Sequence, residues 1–163
     1  MPTEIRPMQT DDKPQVMDIL RRTPEFQPHE VTVAEEVIDS YLQDPTGSGY
    51  HILVAEGNSG INGYICYGPT PCTEGTWDFY WEAVKKEKRG MGIGSALSRA
   101  AEAAVLEAQG RLIIIETSST PLYENTRRFH LGQGYEIISC IPDFYAPGDD
   151  KITMQKRLHK NEK

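Results

Sequence analysis

Apolar residues recur at helical spacing in two early segments of the chain. Val16, Met17, Ile19 and Leu20 share one side of residues 11–22, and Val33, Val37, Ile38 and Tyr41 share one side of residues 32–43. Thr10 or Asp11 can cap the first of these helices, and Pro14 is tolerated in a first turn whose N–H groups lack partners anyway. Asp44-Pro45-Thr46-Gly47 ends the second with turn chemistry. A short strand is expected ahead of both, at residues 3–7.

Further along, the pattern turns to strands. Residues 50–56 and 61–68 flank Gly57-Asn58-Ser59-Gly60, which reads as a hairpin, and a longer strand follows Pro69-Thr70-Pro71 at residues 76–84. In that strand Trp77, Phe79, Trp81 and Ala83 alternate with Asp78, Tyr80, Glu82 and Val84, so the first row is expected to face one core layer. A helix is expected over 92–109, with Ile93, Leu97, Ala100, Ala104 and Ala108 on one side and Gly110 as its left-handed terminator. The continuous apolar run Leu112-Ile113-Ile114-Ile115 suits a strand at 111–117 covered on both faces. A helix at 122–132 stops at Gly132-Gln133-Gly134, and strands at 135–141 and 151–158 are joined by a loop over 143–150. The order β-α-α-β-β-β-α-β-α-β-β describes an α/β fold with a mixed sheet.

Composition narrows the class. The 163 residues fit a single domain, 1–163, with no internal repeat or linker. A hydrophobic share of 38% and a charged share of 25% suit a globular protein, and no segment has the ~20 apolar residues of a membrane span. Met1-Pro2-Thr3-Glu4-Ile5-Arg6 contains no apolar leader, which points to a cytoplasmic protein. Cys66, Cys72 and Cys140 form no CxxC pair and are expected as reduced thiols, and the scattered histidines suggest no metal site. A net charge of −7 argues against nucleic acid, and it is compatible with a cationic substrate. Against that acidic background, Lys85, Lys86, Lys88 and Arg89 are a local exception.

These basic residues lead into Gly90-Met91-Gly92-Ile93-Gly94-Ser95 at the start of a helix. The first turn of a helix leaves N–H groups unpaired and carries partial positive charge, and glycines let a phosphate approach them closely. A P-loop is excluded because GxxxxGK[ST] is absent. A dinucleotide fingerprint fits poorly, since Ser95 stands where its last glycine belongs. On the residues alone, that fingerprint and a ligand-free helix start both stay open beside a phosphate-binding loop.

The pattern Arg89-x-x-Gly92-x-Gly94 resembles the (Q/R)xxGx(G/A) signature of the GCN5-related N-acetyltransferase (GNAT) family. Asn125-Thr126-Arg127-Arg128-Phe129-His130-Leu131-Gly132-Gln133-Gly134-Tyr135 is similar to that family's following helix, and the likeness runs along nearly the whole chain. The resemblance implies a mixed, mostly antiparallel sheet of six to seven strands with a splayed central parallel pair, flanked by four helices. It implies acetyl-CoA as coenzyme, its pyrophosphate on the amides of Arg89, Gly90, Met91, Gly92, Ile93, Gly94 and Ser95. Its pantetheine arm would lie beside Glu82, Ala83 and Val84, with Tyr123, Asn125 and Arg128 as further coenzyme contacts.

By the same resemblance the reaction is direct acetyl transfer to the primary amine of a small molecule, an amino acid among the candidates. Asp78 is the first candidate base and Glu82 the second, and His130 stands where relatives carry an acid tyrosine. Tyr123 stands where they commonly carry asparagine. Tyr64, Tyr67, Tyr80, Phe144 and Tyr145 are candidate substrate contacts, as rings with interspersed carboxylates suit an amine. No nucleic acid or membrane partner is expected, and a homodimer is compatible with the sequence. The rival reading is an acetyl-CoA-binding module without catalysis, favoured by the change at His130.

Overall fold

The computed structural model describes residues 3–159, so the first two and last four positions of the expected domain lie outside the described residues. Strand β1 (Glu4–Pro7) leads into helices α1 (Lys13–Arg22) and α2 (Pro28–Gln43). Strands β2 (His51–Gly57), β3 (Gly60–Pro69) and β4 (Thr76–Val84) form a meander, followed by α3 (Ile93–Glu107) and β5 (Leu112–Ser118). Helix α4 (Glu124–Gly132) precedes a terminal hairpin of β6 (Glu136–Ala146) and β7 (Asp149–Arg157). The sheet order is β1-β2-β3-β4-β5-β7-β6, antiparallel except where β4 lies parallel to β5. No described helix is long and apolar enough to cross a membrane.

The sheet is covered on both faces. Val16, Leu20, Ile38, Val54, Tyr64 and Cys66 belong to the layer under α1 and α2, and Ile65, Tyr67, Phe79, Leu97, Ile113 and Met154 to the layer under α3. Burying each such aliphatic or aromatic group contributes ~1.5–3 kcal/mol, which holds helices that would be marginal alone. Arg6 closes the end of the first layer, with its guanidinium donating to both oxygens of the buried Asp12 at 2.7 and 2.9 Å. The Tyr64 hydroxyl is a flaw in that layer, being fully buried without a hydrogen-bond partner among the described residues. Tyr64→Phe is therefore expected to stabilise the protein by about 1 kcal/mol. Thermal melting should register a rise of roughly 2–4 °C.

Several boundaries depart from the sequence pattern. Helix α2 starts at Pro28, not at 32, because Pro28 has no N–H of its own to leave unpaired and the Gln27 carbonyl accepts from Glu30 and Val31 N–H. Gln109, with φ of +68°, takes the left-handed position after α3. Gly110 is needed for a different reason, since a Cβ there would overlap Val105. Residues 143–150 are not a loop. β6 and β7 run on to a tight turn in which Ala146 pairs with Asp149 and Gly148 has φ of +81°. The bend within β6 is held by Asp143, whose N–H donates to Asp150 at 2.9 Å and whose carboxylate accepts from Gly148 N–H at 2.8 Å.

The main correction concerns β4. Cys66 pairs with Trp81 but Tyr67 pairs with Phe79, so Tyr80 is an extra residue, a β-bulge. One extra residue inverts the alternation beyond it. Trp77 and Phe79 accordingly face the α3 layer, whereas Trp81 and Ala83 join the α1/α2 layer, and the expected single apolar row does not exist. Asp78 and Glu82 end on opposite faces of the sheet.

Candidate active site

β4 and β5 pair from Thr76↔Leu112 to Phe79↔Ile115 and then separate. Residues 80–84 of β4 and 116–118 of β5 therefore bound a gap in the middle of the sheet, with backbone groups on facing edges left free of ladder bonds. The α3 N-terminus closes one end of this gap. Gly90 and Gly92 hold φ values of +78° and +81°, a backbone that an L side chain adopts only with strain. The N–H groups of residues 90–95 have no hydrogen-bonded acceptor among the described residues. At Gly94 a Cβ would stand 3.3 Å from the Phe129 ring, so the missing side chain lets α4 approach α3.

The result is a cleft of about 420 Å³, bordered by Ala83, Val84, Arg89, Gly90, Gly92, Ile93, Gly94, Ser95, Asn125 and Phe129. Arg89 stays beside it, donating from Nε to the Val84 carbonyl at 3.3 Å and lying 3.8 Å from Glu25. Met91 does not line the cleft, and its side chain is 67% exposed. Arg128 also stands outside it, exposed and paired with Glu124 at 3.2 Å.

A smaller cavity adjoins the cleft, lined by Glu25, Phe26, Tyr80, Trp81, Glu116 and Thr117, with Tyr123. Glu25, Glu82, Thr126 and His130 line both spaces and so mark their junction. Tyr123, expected at the coenzyme, borders only the smaller cavity. Its hydroxyl donates to the Glu25 carbonyl at 2.7 Å, tying the α1–α2 connection to the turn before α4.

Glu82 dominates the junction chemically. Burial pushes its carboxyl up to about 8, the Ser98 hydroxyl partly opposes that shift, and nearby Glu102 adds to it. Ser98, on α3, donates to both carboxylate oxygens at 3.0 and 3.2 Å. Behind this pair, Glu102 accepts from the Tyr135 hydroxyl at 3.0 Å and from Lys156 at 2.9 Å. His130 is 8% exposed, and burial lowers its imidazole to about 4, so it is neutral at pH 7.

The other expected residues lie elsewhere. Asp78 accepts from the Thr70 hydroxyl at 2.6 Å and lines neither space. Tyr64 and Tyr67 are 0% and 3% exposed and present no surface to a substrate. Tyr80 does border the smaller cavity, and burial followed by the charge of Asp78 raises its hydroxyl to about 12. Phe144 and Tyr145 are half exposed on β6 and line neither space. Sequence reasoning missed Glu25, Phe26, Ser98, Glu116 and Thr117. The signal for the first two was an acid and an aromatic ring confined between Pro24 and Pro28.

A sequence model of the acetyltransferase (GNAT) domain matches residues 48–137. The chain is 37% identical over 76 residues to an uncharacterized N-acetyltransferase of Methanocaldococcus jannaschii, an alignment covering 46% of this chain and 47% of that protein. The chain thus spans about half the length of that curated relative. A crystal structure assigned to the GNAT acetyltransferases, from Desulfovibrio desulfuricans, superposes with a TM-score of 0.93 at 36% identity, covering 97% of this chain and 100% of that one. An aminoglycoside 6'-N-acetyltransferase complexed with coenzyme A shares the fold, with a TM-score of 0.77 at 21% identity over 98% of this chain and 99% of its own.

Proposed function

We propose, starting from the fact that this chain belongs to the GNAT acetyltransferase family, that it moves an acetyl group from acetyl-CoA directly to the primary amine of a small molecule. The observation that carries the reading is the meeting, at Glu82 and His130, of a cleft headed by free helix N–H groups with a separate acid- and ring-lined cavity. The residues fit the coenzyme. Unpaired amides of 90–95 suit its pyrophosphate, and the gap beside Ala83 and Val84 suits an amide-bearing arm. The bound coenzyme would supply an activated acetyl thioester.

This chain's own residues would do the rest. An ammonium near pKa 10 must lose a proton before its nitrogen can attack. Glu82, titrating at about 8, takes that proton as a carboxylate, directly or through one water. Asp78 faces the other side of the sheet, which makes Glu82 the preferred base. His130 is neutral and buried, so it can donate an N–H hydrogen bond to the departing sulfur but is poorly placed to release a proton. Cys66 is buried with its thiol pushed up, and no cysteine lines either space, which supports direct transfer over an acyl-enzyme. The proposal takes residues 1–163 as one such domain in a cytoplasmic setting.

Thiol release in the presence of acetyl-CoA and an amine panel is the test. Binding of acetyl-CoA without turnover of any amine would favour the non-catalytic module, which the low imidazole pKa of His130 supports. With turnover in hand, kcat/KM should rise with pH toward a plateau above about 8. Ser98→Ala removes the one hydroxyl donor, shared between both carboxylate oxygens, that favours the Glu82 anion. It is expected to shift that rise upward by about 1 pH unit, with acetyl-CoA affinity unchanged.

A further inference from the structure

The smaller cavity has a chemical bias that the transferase reading does not by itself require. Its wall carries Glu25 and Glu116 besides Glu82, with Phe26, Tyr80, Trp81 and Tyr123 as rings, and among the described residues lining it there is no lysine or arginine. The nearby cations are already committed. Lys151 is 2.5 Å from Glu116 and lies over the Phe144 ring at 4.2 Å, and Arg89 lies toward the coenzyme cleft, 3.8 Å from Glu25.

A second, independent observation points to a ligand. Thr117 lies on β5 beyond the last β4 pairing, borders this cavity and is only 6% exposed. Its hydroxyl has no hydrogen-bond partner among the described residues. A buried hydroxyl is normally paired, so an N–H group arriving in the cavity would satisfy it. A carboxylate arriving there would meet acids on both walls and no free cation.

We infer that the acceptor is an amine carrying a second cationic centre and no carboxylate, of the diamine or polyamine class. This rests on the transferase reading and replaces the amino-acid option within it. The distal ammonium is answered by Glu25 and Glu116, sharing the first with Arg89 at 3.8 Å and competing with Lys151 for the second, and the carbon chain packs on the rings, where a cation also gains from their faces. The reacting ammonium loses one proton to Glu82. Its nitrogen forms the new C–N bond to the acetyl carbon, and the C–S bond breaks with its electron pair going to sulfur. Of the nitrogen's second proton and the one on Glu82, one protonates the thiolate and the other goes to solvent.

The experiment measures thiol release by the full chain with acetyl-CoA and three acceptors of matched length: butane-1,4-diamine, butylamine and 4-aminobutanoate. The diamine is expected to exceed butylamine by about tenfold in kcat/KM, with 4-aminobutanoate at least another tenfold lower, as a displaced charge contact implies. Glu116→Gln should narrow the diamine-to-butylamine ratio several-fold, and Glu25→Gln serves as the same test if that variant does not fold. Comparable rates for 4-aminobutanoate and the diamine, turnover of none of the three, or an unchanged ratio in the folded variants would overturn the inference. Calorimetry with acetyl-CoA on the same preparation separates the two levels. Absence of binding heat overturns the transferase reading and this inference together, whereas binding with amino-acid turnover overturns only the inference.

Discussion

Glu82→Gln is expected to lower kcat/KM by about 10²–10⁴-fold at pH 8, the range for loss of a well-placed general base. Acetyl-CoA affinity should change little, because the amide keeps the size of the carboxyl. The same substitution should act oppositely on stability, and the pH window follows from the direction of the shift. Burial holds the folded-state carboxyl at about 8, against 4.5 for an ordinary solvated glutamate. The folded chain therefore keeps a proton that the unfolded chain releases, so stability is full below about 4.5 and declines as pH rises toward about 8. Glutamine never incurs that loss. At pH 9 the variant should be more stable by on the order of 3 kcal/mol and melt roughly 5–10 °C higher, while at pH 4 the two proteins should melt together. Rates settle which acid is the base. If Glu82→Gln keeps near-normal kcat/KM across pH 6–9 and Asp78→Asn does not, the role passes to Asp78.

Gly92→Ala is expected to weaken acetyl-CoA binding by roughly tenfold or more. Nothing crowds the space a Cβ would occupy, so the effect is conformational. At φ of +81° an alanine costs about 1–2 kcal/mol, and the loop escapes that strain by rotating its N–H groups out of the arrangement that meets the diphosphate. Gly132→Ala is the control, since that glycine has open space around it and ordinary helical φ. Calorimetric titration of both variants would show a weakened Kd only for Gly92→Ala. Equal affinities would remove the loop from coenzyme binding.

Much of the architecture was legible because it follows from short-range pattern. The Ile-rich run of β5, the two amphipathic helices and the glycine-rich start of α3 each impose their element through local spacing. The bulge at Tyr80 left no such mark. An inserted residue is invisible when the alternate positions before and after it are all large and apolar, as Trp77, Phe79 and Trp81 are. That one omission put Asp78 and Glu82 on the same side of the strand in the sequence reading, whereas the bulge sends them to opposite faces. Glu25 and Ser98 were missed for a different reason, since they reach the junction from α1–α2 and α3, through contacts between residues far apart in the chain. The tyrosines show the converse. Tyr64 and Tyr67 have the composition of a binding surface, and only packing reveals that they are interior.

The phase of β4, more than the identity of its side chains, decides what the strand can do. A chain that exchanged Tyr80 for another residue would still aim its carboxyl toward α3, where the two spaces meet, and its indole into the layer under α1 and α2. A chain that lost the position altogether would exchange their faces, stranding an acid among aliphatic neighbours and turning the indole toward α3. In such a sheet, length at one point is a coarser adjustment of chemistry than any substitution nearby.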